Sequence, residues 1–178
     1  PSLSKFFLMQ PRFTLPLLFI LFLGTCVRAQ SAPPNDEFSD VILISALPYT
    51  DGLTAATASA ATFDPDEPAC GTTERSFWYT YVPPVSTNYL FTAEFADASV
   101  TANNDFVVGV YTGNDFVTDF VPVGCFDDND GRSAGERISL PLDAGVRYNF
   151  QVILTAEVLT NALINIALDS VPQNNWLG

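Results

Sequence analysis

No histidine occurs in the 178 residues, the only lysine is Lys5 and the only methionine is Met9. The usual bases that activate a serine or cysteine nucleophile are therefore missing. Zinc is disfavoured by the same shortage, because its nitrogen ligands are absent. Paired carboxylates that cleave glycosidic bonds remain conceivable, yet nothing in the sequence sets two of the twenty acids across a cleft. No stretch beyond the first thirty residues has a convincing helical period, which argues against a helical or α/β domain. These absences point to a chain without enzymatic activity.

The first thirty residues have the form of an export signal. Arg12 precedes an almost unbroken apolar run from Phe13 to Leu23, and Val27-Arg28-Ala29 offers small residues at the two positions a signal peptidase reads. Cleavage after Ala29 leaves Gln30 first, and a start at Met9 would place residues 1–8 upstream of the protein. A retained anchor competes with this reading, but the run is short of the ~20 residues a spanning helix needs. A lipid-modified Cys26 is disfavoured by Thr25, where a smaller residue is expected.

Removal of residues 1–29 takes Lys5, Arg12 and Arg28 and leaves four arginines against twenty carboxylates, a net charge near −16. Such a surface repels nucleic acid and anionic membranes and attracts cations. Cys70 and Cys125 remain, an even number in an exported chain, and are expected to form a disulfide. Closing a loop of about 55 residues would stabilise the fold by roughly 4 kcal/mol in the chain-entropy model.

The densest aromatic stretch is Arg75-Ser76-Phe77-Trp78-Tyr79-Thr80-Tyr81-Val82, closed by Pro83-Pro84. It predicts a strand with Phe77, Tyr79 and Tyr81 on one face and Trp78, Thr80 and Val82 on the other, so both faces need cover. Trp78 and Tyr79 are expected in the core rather than on a ligand surface. Strands are also predicted over Val41–Leu47, Tyr89–Phe95, Asp105–Tyr111, Phe116–Val123, Ile138–Leu142, Tyr148–Leu154 and Ile164–Leu168, with Asp105–Tyr111 and Phe116–Val123 forming a hairpin. Pro48–Gly52 is expected to turn, Thr54–Thr62 is a small-residue segment of open type, and polar residues around Asn103 and Asn104 form another turn. Eight or nine short strands separated by turns predict an all-β, antiparallel, jelly-roll-like β-sandwich over residues 30–169.

The chain resembles the bacterial pre-peptidase C-terminal domain family. The resemblance is carried by Pro33-Pro34-Asn35-Asp36-Glu37-Phe38, Glu67-Pro68-Ala69-Cys70-Gly71, Ser76-Phe77-Trp78-Tyr79, Val110-Tyr111-Thr112-Gly113, Cys125-Phe126-Asp127-Asp128 and Leu142-Asp143-Ala144-Gly145-Val146-Arg147-Tyr148. It implies a sandwich accessory domain found beside secreted peptidases or in tandem arrays, without catalytic residues. No peptidase accompanies it here.

Asp127, Asp128, Asn129 and Asp130 ahead of Gly131 form a candidate calcium loop, since calcium takes oxygen ligands and glycine permits a tight turn. The spacing is not that of an EF-hand, and a solvated acidic turn is the plainer alternative. Asp64, Asp66 and Glu67 form a second acidic loop that a Cys70–Cys125 bridge would bring near the first. At the C-terminus, residues 170–178 are either a linker or the start of a second copy, because Ser170–Leu177 aligns with Ser31–Phe38 at three identical positions. The function expected is a secreted or surface module for binding, adhesion, substrate targeting or spacing, with an extracellular protein or polysaccharide as ligand. A filament subunit built by strand exchange is the alternative, its partners being copies of itself.

Overall fold

The computed structural model describes residues 31–71, 74–96, 105–115, 117–127, 135–155 and 162–171. The expected signal peptide, Asn103–Asn104 turn and most of the C-terminal tail lie outside the described residues.

Nine strands are present among the described residues: β1 (Ile42–Ile44), β2 (Tyr49–Thr54), β3 (Arg75–Tyr81), β4 (Thr87–Phe95), β5 (Phe106–Thr112), β6 (Val121–Phe126), β7 (Glu136–Leu142), β8 (Tyr148–Leu154) and β9 (Leu163–Ser170). They form a five-stranded sheet in the order β1-β3-β8-β5-β6 and a four-stranded sheet in the order β2-β9-β4-β7. Pairing is antiparallel except that β1 runs parallel to β3. The protein is an all-β sandwich, as the turn-punctuated alternation predicts.

The four-stranded sheet has one dry and one wet face. Along β9, Ile164, Ile166 and Leu168 are fully buried while Asn165 and Asp169 are exposed; β7 alternates likewise through Ile138, Leu140 and Leu142. Facing them across the interface are Phe77, Tyr79 and Tyr81 of β3 and Tyr148, Phe150, Val152 and Leu154 of β8. Phe91 of β4 stacks on Phe150 of β8, centroids 4.5 Å apart and planes 7° from parallel, so the two sheets meet ring on ring. At one margin the Tyr79 hydroxyl donates to Asp51 Oδ2 on β2 at 2.8 Å. Burial pushes the Tyr79 phenol well above its ordinary value, with the Asp51 charge acting in the same direction.

The outer face of the five-stranded sheet is also covered, which explains why β3 and β8 are apolar or hydrogen-bonded on both sides. Its cover is the lead-in Ser31–Phe38 together with residues 62–71. Asn35 takes the ladder position next to Trp78 that β1, starting opposite Tyr79, does not reach. The Asn35 carbonyl accepts from Trp78 N at 2.9 Å and Asn35 Nδ2 donates to Trp78 O at 2.8 Å. Phe38 stands edge-on to the Trp78 indole with centroids 5.2 Å apart, and Phe120 packs against both, 6.0 Å from the indole and 5.1 Å from Phe38. Trp78 and Tyr79 are both in the core, as expected.

Three local readings need correction. Tyr49–Thr54 is a strand paired to β9 rather than a turn: its Asp51-Gly52 pair is a turn signal that the neighbouring ladder overrides. Ala55–Ser59 forms a short α-helix, α1, capped by Thr54 Oγ1 accepting from Thr57 N, with Ala55 and Ala58 buried. Five residues are too few to display a helical period. β6 begins at Val121, so the expected strand from Phe116 starts late; Asp119 instead ties the preceding loop by accepting from Asn114 N and Asp115 N, which holds its carboxyl below the usual range.

Candidate metal-binding site and the acidic loops

The Cys70–Cys125 disulfide forms, Cα atoms 5.5 Å apart, joining the loop before β3 to edge strand β6. Cys70 is fully buried beside Val107 and Ile153, so the bridge anchors the covering loop to the sheet it covers.

Asp127 leaves the end of β6 and lies with Asp105, just before β5, and Glu136, the first residue of β7; one ligand oxygen from each falls within 4.8 Å of the others. Three strand ends from two sheets thus meet. Asp105 is held by its backbone: its carbonyl accepts from Thr155 N and Thr155 Oγ1 at 3.0 and 3.1 Å, and Oδ1 accepts from Phe106 N at 2.9 Å. Glu136 is turned inward by the start of the β4–β7 ladder, where it pairs with Ala93. Gly135 precedes it at φ +81°, and a Cβ there would lie 2.2 Å from the Ala93 carbonyl oxygen. Only glycine allows that approach.

Glu136 is buried and Asp127 exposed, so the cluster spans from interior to solvent. Two like unit charges 4 Å apart repel by about 4 kcal/mol at an effective dielectric of 20. A cation bound between these acids would relieve that repulsion, and the oxygen-only donor set suits a hard ion. The cluster could hold a metal ion. Of the sequence-predicted loop, Asp127 is in the cluster, while Asp128, Asn129 and Asp130 lie outside the described residues. Asp105 and Glu136 escaped the sequence reading, since each is a lone acid beside a strand.

The second acidic loop does not join this cluster among the described residues. Glu67 is instead buried against the outer sheet face, where Oε1 accepts from Trp78 Nε1 at 2.9 Å and Oε2 from Ser76 Oγ and from Gln151 Nε2, the latter at 3.3 Å. Gln151 in turn accepts from the Tyr111 hydroxyl at 3.2 Å. Burial raises the Glu67 carboxyl above its ordinary value, against the lowering effect of its three donors. Tyr111 is pushed up to about 12 by burial and by the Glu67 charge. The sharing of a shared calcium site between the two loops, expected from the disulfide, is therefore not supported at Glu67, whose oxygens face donors. Beside it, Glu37 is raised to about 7, first by hydrogen bonding to Asp64 and then by burial.

A groove of about 540 Å³ opens between the 3-10 turn at Phe38–Asp40 and the loops at Asn114 and Arg147, with Val41 and Val117 in its walls. Its one carboxylate, Asp115, already accepts from Val117 N at 2.8 Å. A second, of about 410 Å³, lies by the end of β1 and includes Ile44, Leu47, Tyr81 and Tyr89. No helix of the described residues is long and apolar enough to cross a membrane.

In overall shape the chain is similar to the pre-peptidase C-terminal domain of a collagenase from Bacillus anthracis, at 9% identity and TM-score 0.40, over 72% of this chain and 94% of that one. It is also similar to a protein from Sulfurospirillum deleyianum (8% identity, TM-score 0.44, 72% and 100% covered) and to a family 35 carbohydrate binding module from an environmental isolate (15%, 0.32, 63% and 82%). No family model and no curated protein matches the chain. Likenesses this distant carry no argument about function, which rests on the chain's own geometry.

Proposed function

We propose that the protein is a non-catalytic extracellular accessory module that presents a ligand groove on a disulfide-anchored sandwich and binds calcium at its acidic strand ends. The observation that carries this reading is a groove whose one carboxylate, Asp115, is already engaged by Val117 N. Glu67 is held against β3 and β8 by three donors, whereas the groove offers Phe38, Val41 and Val117 as apolar walls, with Asn114 and Arg147 as polar contacts. Apolar walls with a few convergent polar groups suit binding, and no acid–base pair lines them. The ligand is an extracellular protein or polysaccharide. Export by the N-terminal signal agrees with the disulfide and the acidic surface.

Calcium would be held by Asp105, Asp127 and Glu136, with Asp128, Asn129 and Asp130 available to complete a shell of six to eight oxygens. The polymerising alternative draws little support from three of the four sheet edges, the fourth being β2. β6 carries Pro122 and β7 Pro141, while β1 has three residues, all features that blunt edge pairing.

The test is a nuclear magnetic resonance titration of the mature chain with soluble oligosaccharides and extracellular peptides. Saturable shifts confined to Phe38, Val41, Asn114 and Arg147, with the added compound intact afterwards, are expected. Conversion of a compound, abolished by Glu37→Gln, would overturn the reading in favour of a carboxylate hydrolase.

A further inference from the structure

Within the lead-in Ser31–Phe38, Pro33 and Asn35 are the two buried residues. Asn35 closes both backbone hydrogen bonds of Trp78, as described. Asp36 accepts from Thr62 N through Oδ1 at 2.6 Å and from Thr62 Oγ1 through Oδ2 at 3.2 Å, and Phe38 packs edge-on against Trp78. These contacts give the eight-residue match at the other end of the chain a physical meaning. Ser170, Pro172 and Asn174 are identical to Ser31, Pro33 and Asn35, so both buried positions are retained. Asn175 keeps an acceptor oxygen where Asp36 binds Thr62, and Leu177 keeps an apolar side chain where Phe38 meets the indole. Exposed Pro34 is replaced by Gln173. Of the three identities, two fall on the only buried positions of the lead-in and the third on exposed Ser31.

We propose that residues 170–177 are the lead-in of a second copy of this domain that begins here, and that they take on that copy's Trp78-bearing outer face the place that residues 31–38 hold in this one. Asn174 bridges the backbone of that copy's Trp78, Asn175 accepts from its Thr62 N, and Leu177 packs on its indole. The module thereby extends in series without opening a sheet edge. The inference rests on the fold and the lead-in contacts and is independent of ligand or calcium binding.

The docking set is tested in the full mature chain by writing the tail sequence into the lead-in, through Ala32→Val, Pro34→Gln, Asp36→Asn, Glu37→Trp and Phe38→Leu together. A control carries Asn35→Ala, Asp36→Ala and Phe38→Ala. The rewritten chain is expected to retain at least half of the difference in Tm between wild type and control, and Asn35→Ala is expected to lower Tm equally in wild type and in the rewritten chain. A rewritten chain no more stable than the control, or one that fails to fold, overturns the proposal, as does an Asn35→Ala change without effect in it. In trans, a synthetic peptide of residues 170–178 should raise the Tm of the control chain, and the same peptide with Asn174→Ala should not. Equal curves with both peptides would remove docking on a second copy.

Discussion

The indole Nε1 of Trp78 donates to Oε1 of Glu67 at 2.9 Å, fastening the covering loop that carries Glu67 to the outer face of the five-stranded sheet. Burial there raises the Glu67 carboxyl, and Glu37 nearby is raised to about 7 by its bond to Asp64. Both folded values exceed the unfolded value, so the folded state holds these protons more tightly. The stabilisation is complete below an unfolded value of about 4.5 and is lost as pH rises through the folded value. Tm should therefore rise as the pH is lowered from about 7.5 to about 5, the reverse of ordinary acid destabilisation over that interval. Glu37→Gln should flatten the profile near neutrality. A wild-type Tm that falls steadily on acidification across this window would contradict the assignment.

Removing the Asn35 side chain leaves the buried Trp78 carbonyl without its donor, since Nδ2 supplies that bond at 2.8 Å. Orphaning a buried acceptor costs about 1–3 kcal/mol, so Asn35→Ala should shift the denaturant midpoint by that amount. Arg137→Ala is the contrasting case. Its pair with Glu94 is 3.4 Å long and solvent-exposed, and its loss should change stability by less than about 0.5 kcal/mol. Equal effects of the two substitutions in urea unfolding would show that the lead-in is not fastened as described.

The alternating stretches of β4, β7 and β9 were legible in the sequence because one face of their sheet is wet, and β3 was legible because aromatic residues on both faces demand cover. β2 was hidden by the local signal of Asp51-Gly52, which is subordinate to pairing with a strand more than a hundred residues away. The acidic run starting at Asp127 announced itself, whereas Asp105 and Glu136 did not. Their meeting depends on how β5, β6 and β7 end in space, and long-range ladders determine that. Glu67 read in the sequence as one of three acids in a second acidic loop. Only the neighbouring Ser76, Trp78 and Gln151 distinguish it, and they come from two other strands.

Cys70 and Cys125 are separated by 55 residues, so their bond restricts a long loop in the unfolded chain. Reduction, or Cys70→Ser with Cys125→Ser, should destabilise the protein by up to roughly 4 kcal/mol. The loop carrying Glu67 should loosen first, because Cys70 ties it to β6. Hydrogen exchange of the reduced protein is expected to be faster at Ser76 and Trp78 than at Phe91 or Ile166. Uniform acceleration at all four amides would place the effect in global stability instead.

Gly135→Ala tests the geometry of the acidic strand ends without touching an acid. The added Cβ meets the Ala93 carbonyl oxygen at 2.2 Å, from a left-handed backbone position that side chains rarely adopt, and Glu136 is the next residue. Strain of this kind costs about 1–3 kcal/mol unless the backbone shifts, and a shift moves Glu136 away from Asp105 and Asp127. In the wild type, calcium at a hundred times its Kd should raise unfolding stability by about 2.7 kcal/mol relative to chelator. Gly135→Ala should lower the baseline and shrink that increment, whereas Glu136→Gln should shrink the increment alone by removing one anionic ligand. Thermal unfolding of the three proteins with calcium and with chelator separates strain from ligation. An increment unaltered by Glu136→Gln would remove Glu136 from the site.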